Sequence, residues 1–144
     1  MAVTFDQVTA NSSSVGVTTL TINATSVGAD RLAIIAMCSN GRDLDPGMAV
    51  TVGGVAATRH TGASGNDTYE VWYFINPPTA STAYVASWTN SIPILMYVVT
   101  LAGVDQSSPI RQGLIAFTYG VTSSSLTFTA SVFNDTLVDF EMKS

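Results

Sequence analysis

Short runs of β-branched and aromatic residues, broken at strand-length intervals by Gly, Pro, Asn and Ser clusters, confine this chain to an all-β fold. In Val17 to Ile22, Leu20 and Ile22 alternate with threonines, which is the period of a half-buried strand. Arg31 to Cys38 is continuously apolar after its first residue and reads as a central strand. Ala49 to Thr58 is split by Gly53-Gly54, and glycine tolerates the positive φ of a tight hairpin turn. Thr68 to Ile75 places Trp72 and Phe74 on one face and Tyr69, Val71, Tyr73 and Ile75 on the other. Asn76-Pro77-Pro78 stops it, because proline supplies no amide to a ladder.

The same reading takes Val3, Phe5 and Val8 as a first strand that ends in a turn at Asn11 to Ser14. Ala83 to Trp88 and Pro93 to Leu101 count as two strands, and Ala102 to Ile110 as a connector. Ser125 to Ala130 and Leu137 to Met142 supply the last two. The expectation is an antiparallel β-sandwich, jelly-roll or Ig-like, with about nine or ten strands and little or no helix. No linker or shift in composition divides the 144 residues, so residues 1–144 are read as one domain.

Charged residues make up only 10% of the chain, against about 25% in ordinary domains. The polar surface must therefore come from Ser, Thr and Asn, which suit strands and turns. Lys143 is the single lysine, and Arg31, Arg42, Arg59 and Arg111 are scattered. With a formal charge of -5, no basic cluster is left to neutralise a row of phosphates, which argues against a nucleic-acid partner. The apolar runs Leu32 to Cys38 and Ile92 to Val99 are shorter than a membrane span, and no membrane insertion is expected. The stretch from Met1 to Asp6 has neither a basic segment nor a long apolar core, which sets the expectation of a chain without a secretory signal.

Residues able to carry chemistry are few. His60 is the sole histidine, no G-x-S-x-G elbow accompanies it, and a surface or packing role is expected. Cys38, the sole cysteine, lies in an apolar run and reads as a buried structural thiol. One His and one Cys cannot fill a tetrahedral zinc shell. Asp43 and Asp45, between Asn40 and Gly47, offer part of the oxygen set that calcium requires, but Arg42 and Pro46 break the spacing of a calcium loop. Turn-forming roles for both aspartates are the simpler expectation.

Glu70 and Glu141 are the only glutamates, and nothing in the sequence places them together as a glycosidase pair. Neither a catalytic residue nor a cofactor is expected. Trp72 and Trp88, with Tyr69, Tyr73 and Tyr84, are candidates for a glycan-stacking platform, although aromatics alternating along strands serve packing first. Asn11, Asn23, Asn66 and Asn134 begin N-x-[ST] sequons, read as incidental to a Ser/Thr/Asn-rich surface.

Four segments in order carry a resemblance: Asp30 to Ile35, Val50 to Ala56, Glu70 to Pro78, and Ala102 to Gln106. Together they resemble β-sandwich domains of bacterial surface proteins and of phage or prophage structural proteins. The resemblance runs from about residue 15 onward and implies a sandwich with an exposed structural or adhesive role; it carries no catalytic residues. Domains of that group usually continue past a strand like Leu137 to Met142, where this chain stops. Either the chain is a shortened variant, or its last strand is an edge covered by another subunit.

The function expected is a non-enzymatic structural protein of a virion, a head decoration or tail-associated component. Its partners are then other copies of itself or other virion proteins. The alternative is a carbohydrate-binding or adhesive module at the cell surface that meets a surface glycan.

Overall fold

The computed structural model describes residues 2–40, 47–63, 67–110, 136 and 138. Its strands are β1 (Thr4–Ala24), β2 (Leu32–Asn40), β3 (Ala49–Val52), β4 (Val55–Ala56), β5 (Thr58–Ala63), β6 (Asp67–Ile75) and β7 (Thr82–Ala102). Every regular element among the described residues is a strand, and every pairing is antiparallel. All seven belong to one sheet of order β4-β3-β7-β2-β6-β5, with β1 paired to β7 beside that path.

Two strands are much longer than the sequence pattern suggests. β1 and β7 each run 21 residues and pair along their whole length, from Thr4 opposite Ala102 to Ala24 opposite Thr82. The turn expected at Asn11 to Ser14 is therefore absent, and the two strands expected at Ala83 to Trp88 and Pro93 to Leu101 are one. The corner is made by unequal lengths of chain: between paired positions, Ser14, Val15 and Gly16 of β1 span the gap that Pro93 alone spans in β7, and Trp88, Thr89, Asn90 and Ser91 of β7 span the gap that Thr18 alone spans in β1. Such bulges bend a strand without ending it, and they leave the amide-less Pro93 outside the β1 ladder.

The bend divides each long strand into two arms. The first arm of β7 lies between β3 and the second arm of β1; its second arm lies between β2 and the first arm of β1. β4 runs into β5 through Ala57 alone, so a further stretch of chain links the β3 side to the β6 side. Across the remaining seam, Gln7 Nε2 donates to the carbonyl of Thr25, and Asn11 Nδ2 donates to that of Thr21 at 2.9 Å. The result is one sheet curled into a nearly closed, barrel-like wall.

Inside the wall, side chains of one parity meet. Leu20 and Ile22 of β1, Ala33, Ile35 and Met37 of β2, Val50 and Val52 of β3, Trp72 of β6, and Tyr84, Trp88, Met96 and Val98 of β7 form a single core. A second, smaller cluster covers the opposite face: Leu32, Ile34, Val99, Leu101 and Val104, with Val3, Val71, Tyr73, Ile110 and Val138 packed against it. β2 is thus buried on both faces from Leu32 to Met37, which is why that segment is apolar without alternation.

The turns obey local chemistry. Gly53 and Gly54 take φ of 58° and 83° in the two-residue loop between β3 and β4, as the Gly-Gly pair implied. Asn76 stops β6 at φ 51°, and the chain turns into Pro77, whose carbonyl accepts from Ser26 Oγ at 3.0 Å and Arg31 Nε at 2.8 Å. The strands expected at Ser125 to Ala130 and Leu137 to Met142 fall outside the described residues, apart from Val138.

Candidate functional site

Burial separates the two arms of β1 sharply. The second arm sends Leu20, Ile22 and Ala24 into the core, whereas no residue from Thr4 to Thr19 is buried. On the inner side of the first arm stand Gln7, Thr9, Asn11 and Ser13, opposite Thr100, Val98, Met96 and Ile94. On its outer side stand Phe5 and Val8, opposite Leu101 and Val99 of the second apolar cluster.

Phe5 is 63% exposed and Val8 55%, while their cross-strand partners are buried. The apolar ground of the sheet's outer face therefore continues sideways onto an open margin. Val15, at the bend of the same strand, is 68% exposed. A lone exposed valine needs no explanation, but apolar residues bordering a buried apolar cluster mark a surface suited to contact.

Asp6 anchors this arm. Its Oδ2 accepts from the backbone amide of Val27 at 2.9 Å and from Thr100 Oγ1 at 2.9 Å, and Thr100 is fully buried. The Asp6 charge also acts on Tyr84, whose phenol is pushed up to about 12, first by burial and second by that carboxylate. The Tyr84 hydroxyl is buried without a hydrogen-bond partner.

The residues singled out from the sequence do not converge. Trp72 and Trp88 are 8% and 6% exposed and belong to the core, so neither offers a free ring face for a sugar. The reason is their register: Trp72 lies opposite Ile35 on the inner side, and Trp88 shares the inward parity of Tyr84 and Ala86. Trp88 Nε1 donates to the carbonyl of Val17 at 2.8 Å, while Trp72 Nε1 is buried without a partner. Tyr84 is also in the core; Tyr69 and Tyr73 are half-buried on the other side of β6.

His60 packs edge-on against Tyr73, with ring centroids 6.3 Å apart. Cys38 is half-buried in β2. Asn11, a sequon residue, is engaged: its Nδ2 reaches Thr21 and its Oδ1 accepts from the amide of Ser12. Asp43, Asp45 and Glu141 lie outside the described residues, and so does the calcium reading that rests on the two aspartates. Among the described residues no group of three or more His, Cys, Asp or Glu side chains is placed to hold a metal ion. No helix among them is long and apolar enough to cross a membrane.

One pair was missed from sequence. Glu70, 5% exposed, accepts from Arg59 Nε and Nη2 at 2.6 Å each, a two-pronged ion pair that raises the Arg59 pKa through its hydrogen bond and charge. The signal was available in the β5–β6 hairpin, which sets Arg59 opposite Trp72 and Gly62 opposite Glu70. The bulge between Arg59 and Thr61 hid that register. Both carboxylate oxygens are occupied by one guanidinium, which suits a structural clip rather than proton transfer. Comparison with protein-family profiles, curated proteins and solved structures returned no match to this chain.

Proposed function

We propose that this chain is a non-enzymatic structural protein that works by assembly, through protein–protein contacts made by its β surface. The observation that carries the reading is the exposed apolar margin of β1, Phe5 and Val8, bordering a buried apolar cluster on a domain with few charges. Low charge leaves little electrostatic repulsion between copies, and an edge strand is a ready pairing surface. The apolar inner faces of both arms of β7 pack over one core, which supports a β-sandwich reading of the curled wall.

Placement in a virion, as a head decoration or tail-associated component, follows from the resemblance to phage structural domains. The carbohydrate-binding alternative keeps its fold argument but loses its two tryptophans to the core.

Immunogold electron microscopy of the source material tests the placement. Label at regular positions on particles or filaments is the expected result. Label confined to the cell envelope, or to free monomer with no affinity for particles, would overturn it.

A further inference from the structure

The first arm of β1 is held in a different way from the second. From Thr4 to Ser13 it contributes no buried side chain, and its inner face is Gln7, Thr9, Asn11 and Ser13. What fastens it is the backbone ladder to the second arm of β7, plus polar clips: Asp6 to Val27 and Thr100, Gln7 to Thr25, and Asn11 to Thr21. All of these can be exchanged for water or re-formed with an identical partner. The second arm, by contrast, leaves its place only by pulling Leu20 and Ile22 out of the core.

Irregularities bound the first arm at both ends. The register shifts between Phe5 and Gln7, and again between Ser13 and Val17 and between Val17 and Thr19. The second set coincides with the bend, where Ser13, Ser14, Val15 and Gly16 join the arms and none is buried. A segment with little apolar burial next to a break in the ladder is the kind that opens locally while the remainder stays folded. Its departure uncovers the free edge of β7 beside Ile94, Met96 and Val98, three core residues.

We infer that this arm is an exchangeable strap: in the assembled protein, Thr4–Ser13 of one copy pairs with β7 of a second copy. The occupant is argued from self-complementarity, because an identical arm restores every ladder bond and every clip with the same register. Straightening the bend at Ser13 to Gly16 also carries Phe5 and Val8 onto the neighbouring copy, where they meet Leu101 and Val99 as they do at home. The inference rests on the assembly reading above.

A cross-link placed across the arm reports which copy it belongs to. Ala10 is exposed on β1, and its ladder partner Tyr97 is half-buried on β7. Cross-strand positions fall within disulfide reach, so Ala10→Cys with Tyr97→Cys is made in a Cys38→Ser background and oxidised under assembling conditions.

A covalent dimer on a non-reducing gel is the expected result. Assembled protein whose disulfide closes only within each chain overturns the exchange and leaves assembly standing; protein that stays monomeric overturns both. Hydrogen exchange on the unmodified, dissociated chain provides a second arm of the test should the triple variant fail to fold. Amides of Thr4–Ser13 are expected to exchange at least about tenfold faster than those of Leu20–Ala24. Equal protection in the two arms would sink the proposal.

Discussion

At the scale of single residues, the core among the described residues contains two polar atoms that ordinary packing would not leave alone. The Tyr84 hydroxyl and Trp72 Nε1 are both buried and unpaired. An unpartnered hydroxyl lost its hydration on folding and gained nothing in return. Tyr84→Phe is therefore expected to leave stability at pH 7 unchanged or raise it by up to about 1 kcal/mol, read from urea unfolding. A loss of stability would show that the hydroxyl has a partner.

The same residue sets an alkaline limit. Its folded pKa of about 12 stands above the ordinary 10.0, so the folded protein binds more proton between those values. Its contribution is complete below pH 10 and fades as pH climbs toward 12, by on the order of 2 kcal/mol. Tyr84→Phe should flatten that alkaline decline. The Arg59–Glu70 clip gives a further expectation at this scale. Arg59→Met strands a carboxylate that is 5% exposed and should cost about 1–3 kcal/mol. Adding Glu70→Leu should recover much of that loss in the same unfolding experiment, and no recovery would mean the pair does not act as a unit.

At the scale of elements, the decisive feature is that β1 and β7 turn a corner together. Gly16 sits at that corner against β7: a Cβ there would meet Ser91 Oγ at 2.4 Å and the Ser91 backbone at 3.2 Å. Gly16→Val is expected to lower stability by about 1–3 kcal/mol through overpacking, and Ser91→Gly to relieve part of it. An unchanged melting temperature for Gly16→Val would mean that the corner is not held as described.

This corner was illegible in the sequence for a physical reason. Asn11 to Ser14 and Thr89 to Pro93 carry turn chemistry, yet a solvent-facing strand accepts Ser and Asn, and a bulge accepts Pro93. By contrast β2, the Gly53-Gly54 hairpin and the face assignment of β6 were legible, because burial on both faces, positive φ and alternation leave direct marks on residue choice.

At the scale of the whole molecule, function depends on which surfaces are left open. The sequence reads Trp72 and Trp88 as packing residues first and as a sugar platform only second, and the curl of the sheet puts both inside. Phe5 and Val8 looked like an ordinary first strand, and the same curl left them outside. Alternation reports that a strand has two faces, but it does not say which face the closing wall will cover. That choice is made by long-range pairings such as Thr4 with Ala102, which no local pattern encodes.

Assembly through the exposed margin of β1, as proposed above, depends on Phe5 and Val8. Sedimentation velocity across a range of protein concentrations tests it most directly, on the unmodified chain and on a Phe5→Ser, Val8→Ser variant. Both positions are more than half exposed, so the substitutions leave the core intact. Multi-subunit species are expected for the unmodified chain, and a shift to monomer for the variant. A monomer at every concentration, or complexes indifferent to the two substitutions, would contradict it.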